Sequence, residues 1–318
     1  MSPFYNIAVP FALGLTFFLL GMYAMRIGFQ NLAGDRMKAL MMRFTRTPVH
    51  SFFSGLISTF VLQSSGAVTV LTIGLTQAGI IRFAQTIGII LGANIGSTIT
   101  TQLIALRLEK LAVPMLLIGV IFWLQSRKLY RCIGLIIAGF GLIFLGIDTM
   151  QVMARPLEES QTFRGLFLES SHSIWIGLIT GTLFSGLIQS GSATIAITMN
   201  LLAHGVMSMD TALAVVLGAN VGTCFTALIA SIGTNRASQQ VAWFHTLFNL
   251  AGAISFIPLL GSLASITATL TDDPSQQIAH AQSIFNVACS VIALPFVSIL
   301  AKWMDWIIPN GKEPNKVM

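Results

Sequence analysis

The amino-acid sequence predicts an all-α polytopic membrane protein built from two inverted repeats, each with a re-entrant helical hairpin and an interrupted transmembrane helix. Three observations predict it. Of the 318 residues, 54% are hydrophobic and only 9% charged, with mean hydropathy +0.81, whereas a soluble domain carries roughly 25% charged residues. The polar stretch Gln63-Ser64-Ser65-Gly66-Ala67 returns as Gln189-Ser190-Gly191-Ser192-Ala193, and Gly92-Ala93-Asn94-Ile95-Gly96-Ser97 returns as Gly218-Ala219-Asn220-Val221-Gly222-Thr223, both 126 residues on. Polar, glycine-rich loops inside apolar segments are costly in lipid unless they line a cavity, so these four are the candidate functional centre. Third, the 17 Lys and Arg residues divide unevenly between alternate connections, as the positive-inside rule requires of a fixed topology.

The first repeat, 1–131, opens with a helix over 4–25. It lacks the basic leader and small-residue cleavage site of a secretory signal and reads as a retained span. Residues 26–50 hold Arg26, Arg36, Lys38, Arg43 and Arg46 against one acid, Asp35, and read as a cytoplasmic loop. The segment 51–80 is broken at Gln63-Ser64-Ser65 into two pieces, each too short for a bilayer core of about 30 Å; together they predict a hairpin with its tip at the midplane. The segment 83–106 is long enough to cross, but glycines on either side of Asn94 predict local unwinding there. A short helix over 113–124 and the basic cluster Arg127, Lys128 and Arg131 complete the repeat.

The second repeat, 132–301, runs through a helix over 133–153 and an outer loop, 154–172, with Glu158, Glu159 and Glu169. A hairpin over 174–202, an interrupted helix over 211–232, helices over 241–260 and 278–301, and a short cytoplasmic tail, 302–318, follow. Gly14 to Met25 also resembles Gly139 to Met150, so the duplication reaches back to the first helix. With both hairpins returning to their side of entry, the chain makes seven crossings, its N-terminus outside and its C-terminus inside. Thirteen basic residues then lie inside, and Arg107, Lys110, Arg155 and Arg164 outside. Three crossings separate the hairpins, which therefore enter from opposite faces. Trp303 and Trp306 read as interfacial anchors.

Inverted repeats with discontinuous helices are the usual construction of secondary transporters. At each hairpin tip a half-helix begins, and helix N-termini offer unpaired N–H groups to an anion. Gln63, Ser64, Ser65, Gln189, Ser190 and Ser192 are the candidate substrate-binding residues. Freed carbonyls at the unwound segments, with the side-chain oxygens of Gln63, Gln189, Asn94 and Asn220, suit a hard cation such as Na⁺; Ser97 and Thr223 of the second motif, Thr98 and Thr194 are further candidates. Asp148, the acid placed well inside a predicted span, joins them as a candidate cation ligand. The echo between His245-Thr246-Leu247-Phe248-Asn249 and Gln282-Ser283-Ile284-Phe285-Asn286 reads as hydrogen-bonded ties between helices rather than as substrate contact.

Other classes fit poorly. The three cysteines are scattered within apolar segments and the five histidines are dispersed, so neither a disulfide nor a metalloenzyme is expected. No nucleophile, base and orienting group occur together at a plausible spacing, which argues against a membrane-embedded enzyme. Rings of charge are absent, against a channel. The net charge of +6 lies in short loops where topology explains it, so no nucleic-acid partner is expected.

On these residues the chain resembles the sodium/phosphate cotransporter type II family and its bacterial relatives, marked by a duplicated Gln-Ser-Ser-Ser motif followed by Gly-Ala/Ser-Asn-Ile-Gly-Thr. The resemblance covers about residues 10–300. It implies Na⁺-driven symport of inorganic phosphate across the cytoplasmic membrane, anion and sodium bound between the repeats, with no cofactor beyond Na⁺ as coupling ion. The lipid bilayer is then the surrounding partner, and a homodimer is left open. A carrier of another oxyanion, or one coupled to protons, is the alternative; the scarcity of buried acids and histidines at the motifs argues against proton coupling. Three positions depart from the family pattern, Gly66, Gly191 and Ser97, and reduce the hydroxyl count. The short tail leaves no expectation of the cytoplasmic regulatory domain that some bacterial relatives carry.

Overall fold

The computed structural model describes residues 3–33, 47–106, 108–152 and 173–308. Among them there is no strand, and almost everything outside short turns is helical. Arg36, Lys38, Arg43, Arg46, Arg107, residues 154–172, expected as an outer loop, and the tail beyond 308 lie outside the described residues. Polarity runs inside out. Thr72, Ser238 and Gln240 are fully buried, while Leu187 and Trp306 are 81% and 84% exposed. Lipid as the surrounding solvent explains both, because helices satisfy their own backbone and polar side chains must find partners within the protein. The protein is a multi-pass membrane protein.

In chain order the helices are α1 (Pro3–Ala33), α2 (Pro48–Leu62), α3 (Ser65–Gln77), α4 (Phe83–Ile104), α5 (Ala112–Trp123), α6 (Lys128–Gln151), α7 (Ile174–Ile188) and α8 (Gly191–Ala203), then α9 (Met209–Gly222), α10 (Cys224–Ala230), α11 (Arg236–Phe256), α12 (Leu260–Leu270), α13 (Pro274–Ala293) and α14 (Val297–Ile307). Starts are set by capping side chains: Thr47 with Pro48 for α2, Asn235 for α11, and Asp273 with Pro274 for α13. Pro258 and Pro295 each lie in a 3₁₀ turn that joins two helices, α11 to α12 and α13 to α14. Proline removes an amide donor and crowds the preceding turn, so each long run changes winding there.

Three sequence expectations need correction. Phe83–Ile104 is one unbroken helix. Its glycines do not unwind it; they let α2 approach, for a methyl on Gly92 would overlap the Phe52 carbonyl oxygen. In the second repeat the break falls at Thr223, the last residue of the motif, between α9 and α10. The second correction is the crossing count. Six helical runs among the described residues are long and apolar enough to span, not seven. The remaining one, α5, has 12 residues, about 18 Å against a core of about 30 Å. Thirdly, Arg26 lies within α1 rather than in a loop, and α14 carries the chain in helical form to Ile307.

The packing repeats as the sequence does. Helix α2 lies parallel to α4, since Gly88 faces Ser51 and Gly96 faces Thr59; α7 lies parallel to α9, since Gly177 faces Thr211 and Gly222 faces Ser185. Both hairpins end on a left-handed glycine, Gly79 with φ 68° and Gly205 with φ 69°. Between repeats, α1 and α6 pack antiparallel along two glycine ladders of heptad spacing. A methyl on Gly14 would come within 2.6 Å of the Gly146 carbonyl oxygen, and one on Gly28 within 2.7 Å of the Cys132 oxygen. Small residues at such a seam let two backbones touch, which is how helices gain dispersion energy in lipid.

Candidate functional site

Each hairpin turns on its glutamine. Gln63 and Gln189 both have φ 51° and are, among the described residues, the two non-glycine positions in the left-handed region. Holding an L-residue there costs roughly 1–2 kcal/mol, and such strain persists where the surroundings over-determine a turn. The following serine is extended and caps the next helix. Ser64 Oγ accepts the Ala67 N–H at 3.1 Å and Ser190 Oγ the Ala193 N–H at 3.3 Å, which leaves each hydroxyl proton for donation elsewhere. Helices α3 and α8, of 13 residues each, so start at the two tips and turn the positive ends of their dipoles there.

Both tips open into one cavity of about 680 Å³. Gln63, Ser64 and Ser65 line it from one side, and Gln189, Ser190 and Ser192 from the other; Asn94, Ser97, Asn220 and Thr223 complete it from the second motif. The fold therefore brings together ten of the residues singled out from sequence, contributed by both repeats. Three others stand apart from the lining. The Thr98 hydroxyl donates to the Ile95 oxygen at 2.8 Å and the Thr194 hydroxyl to the Ser190 oxygen at 3.1 Å, local bonds that satisfy a threonine inside a helix. Asp148 is exposed near the end of α6, because the helical period turns Ile147 and Met150 inward instead.

The two tips match in backbone and differ in environment. Gln63 is 4% exposed. Its Nε2 donates to the Phe60 oxygen at 2.6 Å, and its Oε1 accepts from the Thr100 hydroxyl at 2.6 Å. Gln189 is exposed, and its side chain makes no hydrogen bond among the described residues. The asparagines are held from behind. Asn94 donates to Asn249 on α11 at 3.0 Å, and Asn286 on α13 donates to Asn220 at 3.3 Å. Gln282, one turn earlier on α13, accepts from Thr101 of α4 and itself reaches the cavity. The two Phe-Asn echoes thus act as ties onto the helices that carry the motif.

Sequence reasoning missed one lining residue of a different kind, Arg26. It was counted as a loop charge, yet it lines the cavity in company with Leu19, Met22 and Tyr23. The signal was available: spacings of seven, four and three residues place all four on one face of α1.

A family model described as Na⁺/Pi-cotransporter matches the chain twice, over residues 17–152 and 153–298. The chain belongs to the Na⁺/Pi-cotransporter family. Membership makes it a transport protein and not an enzyme, and each of the two matched segments contains one Gln-Ser hairpin. Uncharacterized protein YqeW of Bacillus subtilis is 33% identical over 267 residues, 84% of this chain and 87% of that protein. YjbB of Escherichia coli, whose name proposes inorganic phosphate export, is 28% identical over 79% of this chain but 46% of its own length. Sodium-dependent phosphate transport protein 2B of Rattus norvegicus is 27% identical over 46% of this chain and 21% of its own. The chain thus spans less than half of the last two relatives. No solved structure matches it.

Proposed function

We propose that this member of the Na⁺/Pi-cotransporter family is a Na⁺-coupled symporter of inorganic phosphate in the cytoplasmic membrane, binding anion and sodium together at the interface of two inverted repeats, 1–131 and 132–301. One observation carries the reading: the serine-bearing tips and the asparagines of both repeats line a single cavity. In it, serine hydroxyls and two helix N-termini suit the oxyanion. Side-chain oxygens of Asn94, Ser97, Asn220 and Thr223 suit Na⁺. The volume exceeds that of a tetrahedral anion alone, so ion, anion and water fit together.

The antiparallel seam between α1 and α6 supports the inverted arrangement, because those helices correspond in the two repeats. Helix α6 is also antiparallel to α5, where Gly119 faces Ala138 and Gly141 faces Leu116. The inverted arrangement requires that α5, 12 residues long, complete a pass between α4 and α6, so that three passes separate the hairpins. A carrier runs in whichever direction its gradients dictate, so the name of the E. coli relative bears on physiological direction and not on the site.

The test is radiolabelled phosphate flux in proteoliposomes with Na⁺ gradients imposed inward, outward and not at all. Phosphate movement should follow the Na⁺ gradient in sign. Flux that ignores Na⁺ but follows a proton gradient would sink the sodium reading. If the site is shared, phosphate affinity rises with Na⁺ by the same factor as Na⁺ affinity rises with phosphate.

A further inference from the structure

We infer that Arg26 is the residue that holds the charge of the transported anion, and that the cavity takes one oxyanion at a time because it has one such charge. The inference rests on the carrier reading above and names the specificity element of the same site. Among the described residues that line the cavity, Arg26 is the one charged side chain and there is no carboxylate. Its Nε is buried with no hydrogen-bond partner, and no ion pair to it occurs among the described residues. A cation placed so in a membrane-spanning helix is costly until an anion joins it. The guanidinium presents up to five N–H donors in a planar fork, the geometry that grips two oxygens of a tetrahedral oxyanion at once.

Among the described residues the rest of the lining carries no charge, so Arg26 alone sets its sign there. Serine hydroxyls and helix N-termini shape the pocket for oxygen atoms but discriminate weakly between an anion and a neutral polar solute. The full positive charge makes that distinction. It has no symmetric copy: with Gly14 to Met25 aligned on Gly139 to Met150, the position after Met150 is Gln151. The Gln-Ser tips and the asparagine motifs of the site are doubled, and the charge is single. A topological role in the positive-inside sense is the rival explanation, and it predicts that a neutral residue would disturb insertion and leave ligand affinity alone.

The experiment uses the full chain in detergent and in proteoliposomes, with phosphate, arsenate and sulfate as probes and Na⁺ alone as the control ligand. Thermal stabilisation by phosphate should need at least about tenfold more ligand in Arg26→Gln than in the wild type, in keeping with loss of one charge-assisted contact. Arg26→Lys should recover part of the loss, and stabilisation by Na⁺ alone should persist in both. Phenylglyoxal modification of Arg26, followed by mass spectrometry of the unmutated protein, requires no variant to fold; phosphate should slow it. Oxyanion binding by Arg26→Gln within twofold of wild type, or modification of Arg26 that phosphate does not slow, would overturn the inference while leaving the carrier reading intact. Arg26-dependent oxyanion binding without Na⁺-driven flux would do the reverse.

Discussion

Gly191 and Thr223 occupy one space between them: a methyl built on Gly191 would lie 2.7 Å from Thr223 Cγ2. The corresponding pair in the first repeat is Ser65 and Ser97, so one repeat places its extra atoms on the tip and the other on the facing helix. Gly191 therefore departs from the serine-rich motif because its neighbour already fills the room. Gly66 differs, since a methyl there would meet Thr226 only at 3.6 Å, an ordinary contact. Gly191→Ser should destabilise the protein by about 1–3 kcal/mol, as overpacking does, and Gly191→Ser combined with Thr223→Ser should restore it. Melting temperature and phosphate flux would report both; a double variant no better than the single one would show that the two sites are independent. Gly66→Ser should be tolerated outright.

The glutamines should separate stability from transport. Gln63→Ala leaves the Thr100 hydroxyl and the Phe60 oxygen without their partner, a cost of about 1–3 kcal/mol. Gln189→Ala breaks no hydrogen bond among the described residues, so its stability should change by less than about 0.5 kcal/mol. Uptake should fall in both. Glycine adopts positive φ freely, so Gln189→Gly should match or exceed wild-type stability while still failing to transport. Normal flux through Gln189→Gly would mean that this residue only makes the turn.

The tie from Asn249 to Asn94 sets the direction of the Asn94 oxygen. Asn249→Ala frees that amide without touching the cavity lining. On the proposed reading the Na⁺ concentration for half-maximal flux should rise several-fold, by about the worth of one buried hydrogen bond, with the maximal rate little altered. A double-mutant cycle with Asn94→Ala should show strong coupling. Additive effects would remove Asn249 from the account of sodium binding.

Sidedness is open to direct measurement at Val49 and Trp175, which are 126 residues apart, 51% and 58% exposed, and sit at the mouths of the two hairpins. In a background lacking Cys132, Cys224 and Cys289, a membrane-impermeant thiol reagent should reach Val49→Cys from the cytoplasm and Trp175→Cys from outside. If α5 does not complete a crossing, both label from one face, and the inverted arrangement is lost.

The doubled motif made the helix breaks at Gln63 and Gln189 legible, because a fixed offset stands out whatever the surroundings. Conformation at those breaks was not, since a glutamine with positive φ contradicts its own propensity and is imposed by packing. The glycines around Asn94 were misread for a related reason: in isolation they weaken a helix, whereas against α2 they admit a neighbouring backbone. Arg26 looked like a topological charge because charge counting ignores helical phase. Thr98, Thr194 and Asp148 were plausible by residue type, and only the direction each faces removes them from the cavity. Pro258 and Pro295 carried a readable signal in the long final helices.

The unequal surroundings of Gln63 and Gln189 bear on how such a molecule works as a machine. Two nearly identical parts are found in two different poses, one fastened by Thr100 and the other loose, while Thr226 waits at the position equivalent to Thr100. Under the inverted-repeat reading, exchanging the poses produces a second conformation that is almost a relabelling of the first and faces the opposite compartment. Its free energy then differs from the present one only through places where the copies are not the same, such as Ser65 against Gly191, Gly66 against Ser192 and Ser97 against Thr223. Near-equality of two opposed states is the thermodynamic condition for a carrier that can be turned by modest ligand energies. The positions where the copies differ, Arg26 against Gln151 among them, set its resting bias.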